Sequence, residues 1–217
     1  MIKAVIFDMD GVMIDSEPLW EKTEKIMMAR KGLTYTPVYR EKIVGLGQKD
    51  SAILLKNTFG LEDETEEIIN SRLSILLDIY DTELQLVTGL EELLQTLSGS
   101  TLQVSLASSS PIRVINFVLN KFDLDKYFSP VVSGDFVENG KPNPDIYLHT
   151  AQKMGLKPHE CVVIEDSING VMSAKAAGMR CIAVPDKRLD PGGFKNADSI
   201  MNSLEDIDMK ALTKFDI

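Results

Sequence analysis

Two carboxylates one residue apart, Asp8 and Asp10, follow the apolar run Ala4-Val5-Ile6-Phe7 and precede Gly11. An apolar run rich in β-branched residues predicts a buried strand, which puts both acids at its carboxyl end. On a continued strand the two side chains would point the same way, and their repulsion and desolvation would need protons or a cation to offset them. Gly11 lets the backbone leave the strand at an angle other residues resist. The pattern returns where Cys161-Val162-Val163-Ile164 breaks into Glu165-Asp166-Ser167. Acids meeting at neighbouring strand ends form an oxygen-rich cluster suited to Mg²⁺, which keeps waters and coordinates phosphate. Two further stretches supply what a phosphate requires. Ser108-Ser109-Ser110 precedes Pro111, so hydroxyls and backbone N–H groups near a helix start can hold an anion, with Ser110 predicted as the N-cap. Gly140-Lys141-Pro142-Asn143-Pro144 restrains the backbone around a lysine and offers Asn143 as the next cap. Beside carboxylates, Lys141 would neutralise a phosphoryl group and keep Asp8 ionised. Each stretch alone has a plainer reading: a solvated Asp-x-Asp-Gly turn, a helix cap, a surface lysine, a surface Glu165. Their recurrence at successive strand ends favours chemistry, because ligands of open α/β sheets bind outside the carboxyl ends of the strands.

The elements that would carry these residues alternate. After Thr88-Gly89 the sequence predicts a helix over Leu90 to Leu97, a strand over Leu102 to Ala107 and a helix from Pro111 to Lys121. The short run Val131-Val132 follows, then a helix from Pro144 to Met154, the strand Cys161 to Ile164, a helix from Ile168 to Ala177 and the strand Arg180 to Val184. A short edge strand near Ser199-Ile200-Met201 and a terminal helix from about Leu204 complete the series. Such repetition predicts an α/β fold, a Rossmann-like, doubly wound parallel sheet covered on both faces. The stretch after the first strand differs. A helix with Ser16 as cap and Pro18 in its first turn is expected to end at Gly32, and helical patterns follow around residues 37 to 43, 50 to 59 and 64 to 80. Residues 16–84 therefore form a small all-helical cap inserted into a core made of residues 1–15 and 85–217, with hinges near Asp15-Ser16 and Glu83-Gln85. Trp20 and the Met27-Met28 pair fit helix packing. Val44-Gly45-Leu46-Gly47-Gln48-Lys49-Asp50 is a loop with two glycines, an amide and a positive charge, which is also what joins one helix C-cap to the next N-cap.

Composition narrows the classes. The 217 residues are 44% hydrophobic and 26% charged, an ordinary balance for a soluble chain with a substantial core. A formal charge of -10, from 23 basic and 33 acidic residues, disfavours a phosphate-backbone surface, so no nucleic-acid partner is expected. No apolar run reaches the roughly 20 residues of a membrane span and no signal-peptide pattern precedes the first strand, which predicts no membrane association and a cytoplasmic location. Cys161 and Cys181 sit in strand-like runs and read as buried, reduced thiols. Nothing in the sequence sets the oligomeric state; a monomer is compatible with it.

Taken in order, Phe7-Asp8-Met9-Asp10-Gly11-Val12, Ser108, Lys141-Pro142 and Glu165-Asp166-Ser167 resemble the four motifs of the haloacid dehalogenase superfamily. The helical insertion resembles the cap of its β-phosphoglucomutase and sugar-phosphatase branch. The resemblance covers essentially the whole chain and implies a Mg²⁺-dependent phosphatase acting on a small phosphorylated metabolite, a sugar or polyol phosphate, through an aspartyl-phosphate. It makes Asp8 the nucleophile and Asp10 the acid and base. It assigns the metal to Asp8, the Asp10 backbone carbonyl, Asp166 and Glu165, the last directly or through water, and the phosphoryl oxygens to Ser108, Ser109 and Lys141. Gly45, Gln48, Lys49 and Trp20 match cap positions that select substrate. Two departures, Trp20 where the mutases carry histidine and Ile112 where they carry asparagine, weigh against a β-phosphoglucomutase-type isomerase, the nearest alternative. A dehalogenase leaves Asp10 and the Glu165-Asp166 pair without a task, and a catalytically idle binding module leaves the whole set unexplained.

Overall fold

The computed structural model describes residues 1–36, 47–185 and 191–215. It divides into two compact units, one of residues 1–14 with 86–217 and the other of residues 15–85. The helix expected around 37 to 43 and the loop residues Val44, Gly45 and Leu46 lie outside the described residues.

Six parallel strands form the sheet of the first unit in the order β3-β2-β1-β4-β5-β6: β1 Ala4–Phe7, β2 Gln103–Ser108, β3 Val131–Ser133, β4 Cys161–Glu165, β5 Arg180–Ala183 and β6 Ser199–Ile200. The acid-bearing first strand is central, with Phe7 level with Leu106 of β2 on one side and Ile164 of β4 on the other. The next residues of the three chains therefore leave the sheet side by side. Alternate residues Ala4, Ile6, Ala107, Val132, Cys161, Val163, Cys181 and Ala183 pack in one core with Ile146, Tyr147 and Ala151 of helix α6 (Asp145–Met154) and Val171 and Ala174 of α7 (Ile168–Ala176). Val5, Phe7, Leu106, Val162, Ile164 and Ile182 are buried too, so both faces are covered, as a parallel sheet of near-continuous apolar strands requires. Helices α4 (Leu90–Ser98), α5 (Ile112–Lys121) and the short α8 (Met209–Thr213) complete the unit. Both cysteines are free and buried, and burial pushes the Cys161 thiol up to about 11. Among the described residues no helix is long and apolar enough to cross a membrane.

The second unit carries α1 (Glu17–Arg30), α2 (Gln48–Phe59) and α3 (Thr65–Glu83). Ser16 sits at the start of α1 without a side-chain capping bond, while α3 opens with a capping box in which Glu64 N–H donates to Glu67 Oε2 at 2.9 Å. A buried cluster ties the helices together. Arg72 of α3 donates to Glu24 of α1 at 2.9 Å and to Ser51 Oγ of α2 at 2.7 Å, and its guanidinium lies 5.4 Å from the centroid of the Trp20 ring. Tyr35 OH donates to the other Glu24 oxygen at 2.9 Å.

Candidate functional site

Strand β1 stops at Phe7, and Asp8 keeps contact with the sheet through its N–H, which donates to Ile164 O at 3.0 Å. The chain then turns at once: Gly11 N–H donates to Ile14 O at 2.9 Å and Met13 N–H to Met9 O at 2.8 Å. Gly11 has φ +80°, and a Cβ there would overlap the Asp166 carboxylate, so the position needs glycine for both backbone angle and space. The turn changes one expectation. The strand does not continue through Asp8 and Asp10, and the two acids take different partners. Asp8 Oδ1 accepts from Lys141 Nζ at 2.6 Å, whereas Asp10 Oδ2 accepts from Ser110 Oγ at 2.8 Å and faces Ser108 Oγ at 3.4 Å.

Lys141 is no surface lysine. Its side chain is 6% exposed, and Nζ also donates to Glu165 Oε1 at 2.6 Å. The bond between Lys141 and Pro142 is cis. Pro144, not Asn143, occupies the N-cap of α6, and the Asn143 amide donates to Gly140 O at 3.0 Å, closing the loop that carries the lysine. Glu165 is fully buried rather than at the surface. Ser167 caps α7 as expected, accepting from Gly170 N–H at 3.0 Å.

The serine loop also departs from expectation. Pro111 is the N-cap of α5, which frees Ser110 to hold Asp10. Ser108 Oγ accepts from Ser110 N–H at 3.0 Å, and Ser133 Oγ donates to Ser110 O at 2.7 Å. Asp135 accepts from Ile112 N–H at 2.8 Å, taking one donor of the helix start. The Ser109 side chain is exposed, with its backbone against Gly134, where a Cβ would come within 2.8 Å of Ser109 O.

Electrostatics follow from crowding acids around one ammonium. Burial raises Asp8 to about 8; Lys141 opposes the shift, while Glu165 and Asp10 add to it. Burial also works against the Lys141 ammonium, but Asp8 and Glu165 outweigh it and hold its pKa above the usual lysine range. Glu165 resists its own burial and stays below the usual carboxylate range, chiefly through Lys141 and then through hydrogen bonds from Tyr147 and Ser167. Among the described residues Lys141 is the cation set between Asp8 and Glu165, and one carboxylate oxygen each of Asp8, Glu165 and Asp166 lie within 4.8 Å of one another. An all-oxygen set of three carboxyl groups fits a hard divalent cation.

The α/β unit brings Asp8, Asp10, Ser108, Lys141, Glu165 and Asp166 to one end of the sheet. Gln48 and Lys49 open α2 in the helical unit, where Lys49 is exposed and Gln48 half-buried; Trp20 is 8% exposed there. Two residues that touch this constellation, Ser110 and Tyr147, are not singled out by sequence. The third serine before Pro111 reads as a cap, and Tyr147 falls on the core stripe of its helix.

Comparison with known proteins agrees with this geometry. Residues 2–178 match the family model described as haloacid dehalogenase-like hydrolase. The chain is 33% identical to hexitol phosphatase B of Escherichia coli, over 97% of this chain and 96% of that protein. It is 34% identical to a phosphorylated carbohydrates phosphatase of Thermotoga maritima, over 83% and 84%. The solved structure of a protein described as a beta-phosphoglucomutase of Thermotoga maritima superposes with TM-score 0.78 at 30% identity, over 99% of both chains. This chain belongs to the haloacid dehalogenase-like hydrolases.

Proposed function

We propose that the protein is a Mg²⁺-dependent phosphatase that hydrolyses a sugar or polyol phosphate through a phosphorylated Asp8. The observation that carries this is the division of labour at the end of β1: Asp8 is paired with Lys141, while Asp10, two residues on, is held separately by Ser110. A nucleophile and a proton carrier must act at the two ends of one phosphorus-oxygen bond, and two acids held by different partners suit that division of roles.

Asp8 attacks phosphorus, the bond to the alcohol oxygen breaks, and Asp10 gives that oxygen a proton. Water then attacks the aspartyl-phosphate, Asp10 takes the proton back, and inorganic phosphate leaves with both acids restored. Asp10 would contribute about 10² to 10⁴ of the rate. Lys141 neutralises the phosphoryl oxygens as a fixed point charge, and the serine loop offers them hydroxyl and N–H donors. Asp8 and Asp166 would hold Mg²⁺ with Glu165 beside them, and the ion would neutralise charge on the transferred group and keep Asp8 ionised. The substrate class rests on the relatives named for hexitol and phosphorylated-carbohydrate hydrolysis, and on Trp20 and Ile112 standing where mutases carry histidine and asparagine. Gln48 and Lys49 at the start of α2, together with Gly45 and Trp20, are assigned to substrate selection.

The test is a phosphate-release screen over hexose, hexitol and glycerol phosphates with an aryl phosphate as reference, joined to mass spectrometry of a trapped reaction. The phosphoryl group should appear on Asp8 and be absent from Asp8→Asn. Its appearance on Asp10 or Ser108 would refute the roles. Conversion of β-glucose 1-phosphate to glucose 6-phosphate faster than phosphate release would make the enzyme a mutase.

A further inference from the structure

Glu165 has no conformational freedom left. Its Oε1 accepts from Lys141 Nζ and from Tyr147 OH, each at 2.6 Å. Its Oε2 accepts from the N–H groups of Asp166 and Ser167 at 3.1 and 3.2 Å and from Ser167 Oγ at 3.0 Å. A carboxylate offers about four lone-pair directions, so these five donors occupy it fully. The cavity it fills is kept open by Gly170, where a Cβ would overlap the carboxylate.

Tyr147 enters this arrangement twice. Besides the hydroxyl bond, its ring lies under Lys141, with Nζ 4.9 Å from the ring centroid, inside the range of a cation–π contact. The tyrosine is wholly buried among Ile146, Ala151, Val163 and Val171, where a phenylalanine would pack equally well. A buried hydroxyl costs free energy unless it is bonded, so the one feature that distinguishes tyrosine here is its bond to Glu165. Lysine, for its part, is a compact charge on a flexible stem. Two of its donors go to Asp8 and Glu165, and among the described residues the only further acceptor is the more distant Ala107 carbonyl, at 3.4 Å. The place of the ammonium beside Asp8 therefore depends on Glu165 staying fixed and on a surface beneath it.

We propose that Tyr147 is a positioning residue for phosphoryl transfer: its hydroxyl pins Glu165 and its ring supports Lys141, so that the ammonium is held against Asp8. Tyr147 touches neither substrate nor metal and acts through Lys141. The role rests on Asp8 and Lys141 being the phosphoryl-transfer groups, and the experiment separates the two claims.

In the full-length protein with Mg²⁺, Tyr147→Phe removes the hydroxyl and keeps the ring, and Tyr147→Leu removes both. For an aryl phosphate, kcat should fall about tenfold in the first and about a hundredfold in the second, with KM within about twofold and the Phe variant melting within a few degrees of wild type. In a Lys141→Met background, Tyr147→Phe should cost nothing more, since the residue through which it acts is gone. A second readout needs no turnover. The Lys141 ammonium, assigned in ¹H–¹⁵N spectra as the signal lost in Lys141→Met, should be resolved in wild type and shifted and broadened by exchange in Tyr147→Phe. A wild-type kcat in Tyr147→Phe, an equal loss in the Lys141→Met background, or an ammonium signal that is unchanged, or already averaged with solvent in wild type, overturns the proposal. If wild type hydrolyses no phosphate ester, or Asp8→Asn hydrolyses as well as wild type, the assigned function fails, and the ammonium spectra still decide whether Tyr147 holds Lys141.

Discussion

Each unit of the molecule buries a basic side chain against carboxylates, and the two solve the charge problem differently. In the helical unit Arg72 meets Glu24, with Ser51 and Tyr35 adding hydrogen bonds and Trp20 a ring face. In the α/β unit Lys141 meets Asp8 and Glu165, and Asp166 stands beside them. The Arg72–Glu24 pair ties three helices together. Three carboxyl groups gathered around Lys141 carry attraction for a cation and, once one is bound, for a phosphate. Burial is comparable in the two, so burial of a charge does not by itself mark a site; the gathering of several acids does.

The sharpest test of that contrast exchanges function for stability. Asp8→Asn should lower aryl phosphate hydrolysis at least about 10³-fold while leaving the urea midpoint in chelator at neutral pH nearly unchanged, because burial raises Asp8 to about 8 and the amide replaces a largely protonated acid. Large destabilisation by Asp8→Asn would mean that Lys141 holds Asp8 ionised without metal. Arg72→Met should do the reverse to stability, costing about 3 to 5 kcal/mol in urea denaturation by taking the buried guanidinium away from Glu24, with much of the loss recovered in Arg72→Met/Glu24→Leu. If the single variant is as stable as wild type, the helical pair is dispensable.

A smaller effect follows from adding the cation. At Mg²⁺ near one hundred times its dissociation constant, wild type should gain about 2.7 kcal/mol against unfolding. Asp166→Asn should lose most of that gain, and so should Gly11→Ala, whose new methyl displaces the Asp166 carboxylate. A full Mg²⁺ response in Asp166→Asn, read as the shift in melting temperature, would move the metal elsewhere.

The smallest effect belongs to a carboxylate of the α/β unit that stands between two cations. Asp198 accepts from Lys175 at 2.6 Å, Arg180 at 2.9 Å and Cys181 N–H at 2.8 Å, fastening β6 to β5. Against the cost of burial, these partners hold its pKa below the usual carboxylate value. A lowered acid binds fewer protons folded than unfolded, so its stabilisation is present above about pH 4 and fades as pH falls through the lowered value. Asp198→Asn should cost about 1 kcal/mol at neutral pH, and the difference from wild type should shrink below about pH 4. A difference constant from pH 7 to pH 3 would remove the charge from the explanation.

What could be read beforehand was what repeats. Parallel strands announce themselves as apolar runs, and a polar break after such a run marks a strand end, which is why Asp8, Glu165 and Asp166 stand out, whereas Lys141 stands out by the glycine and proline that bracket it. Direction was harder. The different partners of Asp8 and Asp10 go with the strand stopping at Phe7 and with the bonds of the turn through Ile14, and of these only Gly11 leaves a mark in residue type. Ser110 and Asn143 each satisfy the rule for a helix cap, yet a proline one place later takes the cap in both cases and releases their side chains for other partners. Tyr147 was hidden by its own helix, where it shares a buried stripe with Ile146, Thr150 and Ala151 and looks like core until its hydroxyl is located.

The points where the chain leaves and re-enters the α/β unit have a consequence for how such a protein can be inherited. Ile14 and Leu86 form an antiparallel bridge and Val87 N–H donates to Met13 O at 2.9 Å, so departure and return are one residue-width apart. Closing that gap needs no chain from the segment between, and a loop with adjacent ends adds little entropy to folding whatever its length. The junction is in effect a splice point, at which the segment between can be exchanged while the sheet of the α/β unit stays intact. A chain in which a short Gly-Ser turn joins Ile14 to Leu86 should fold cooperatively and still bind Mg²⁺; failure to fold would show that the junction is welded rather than interchangeable.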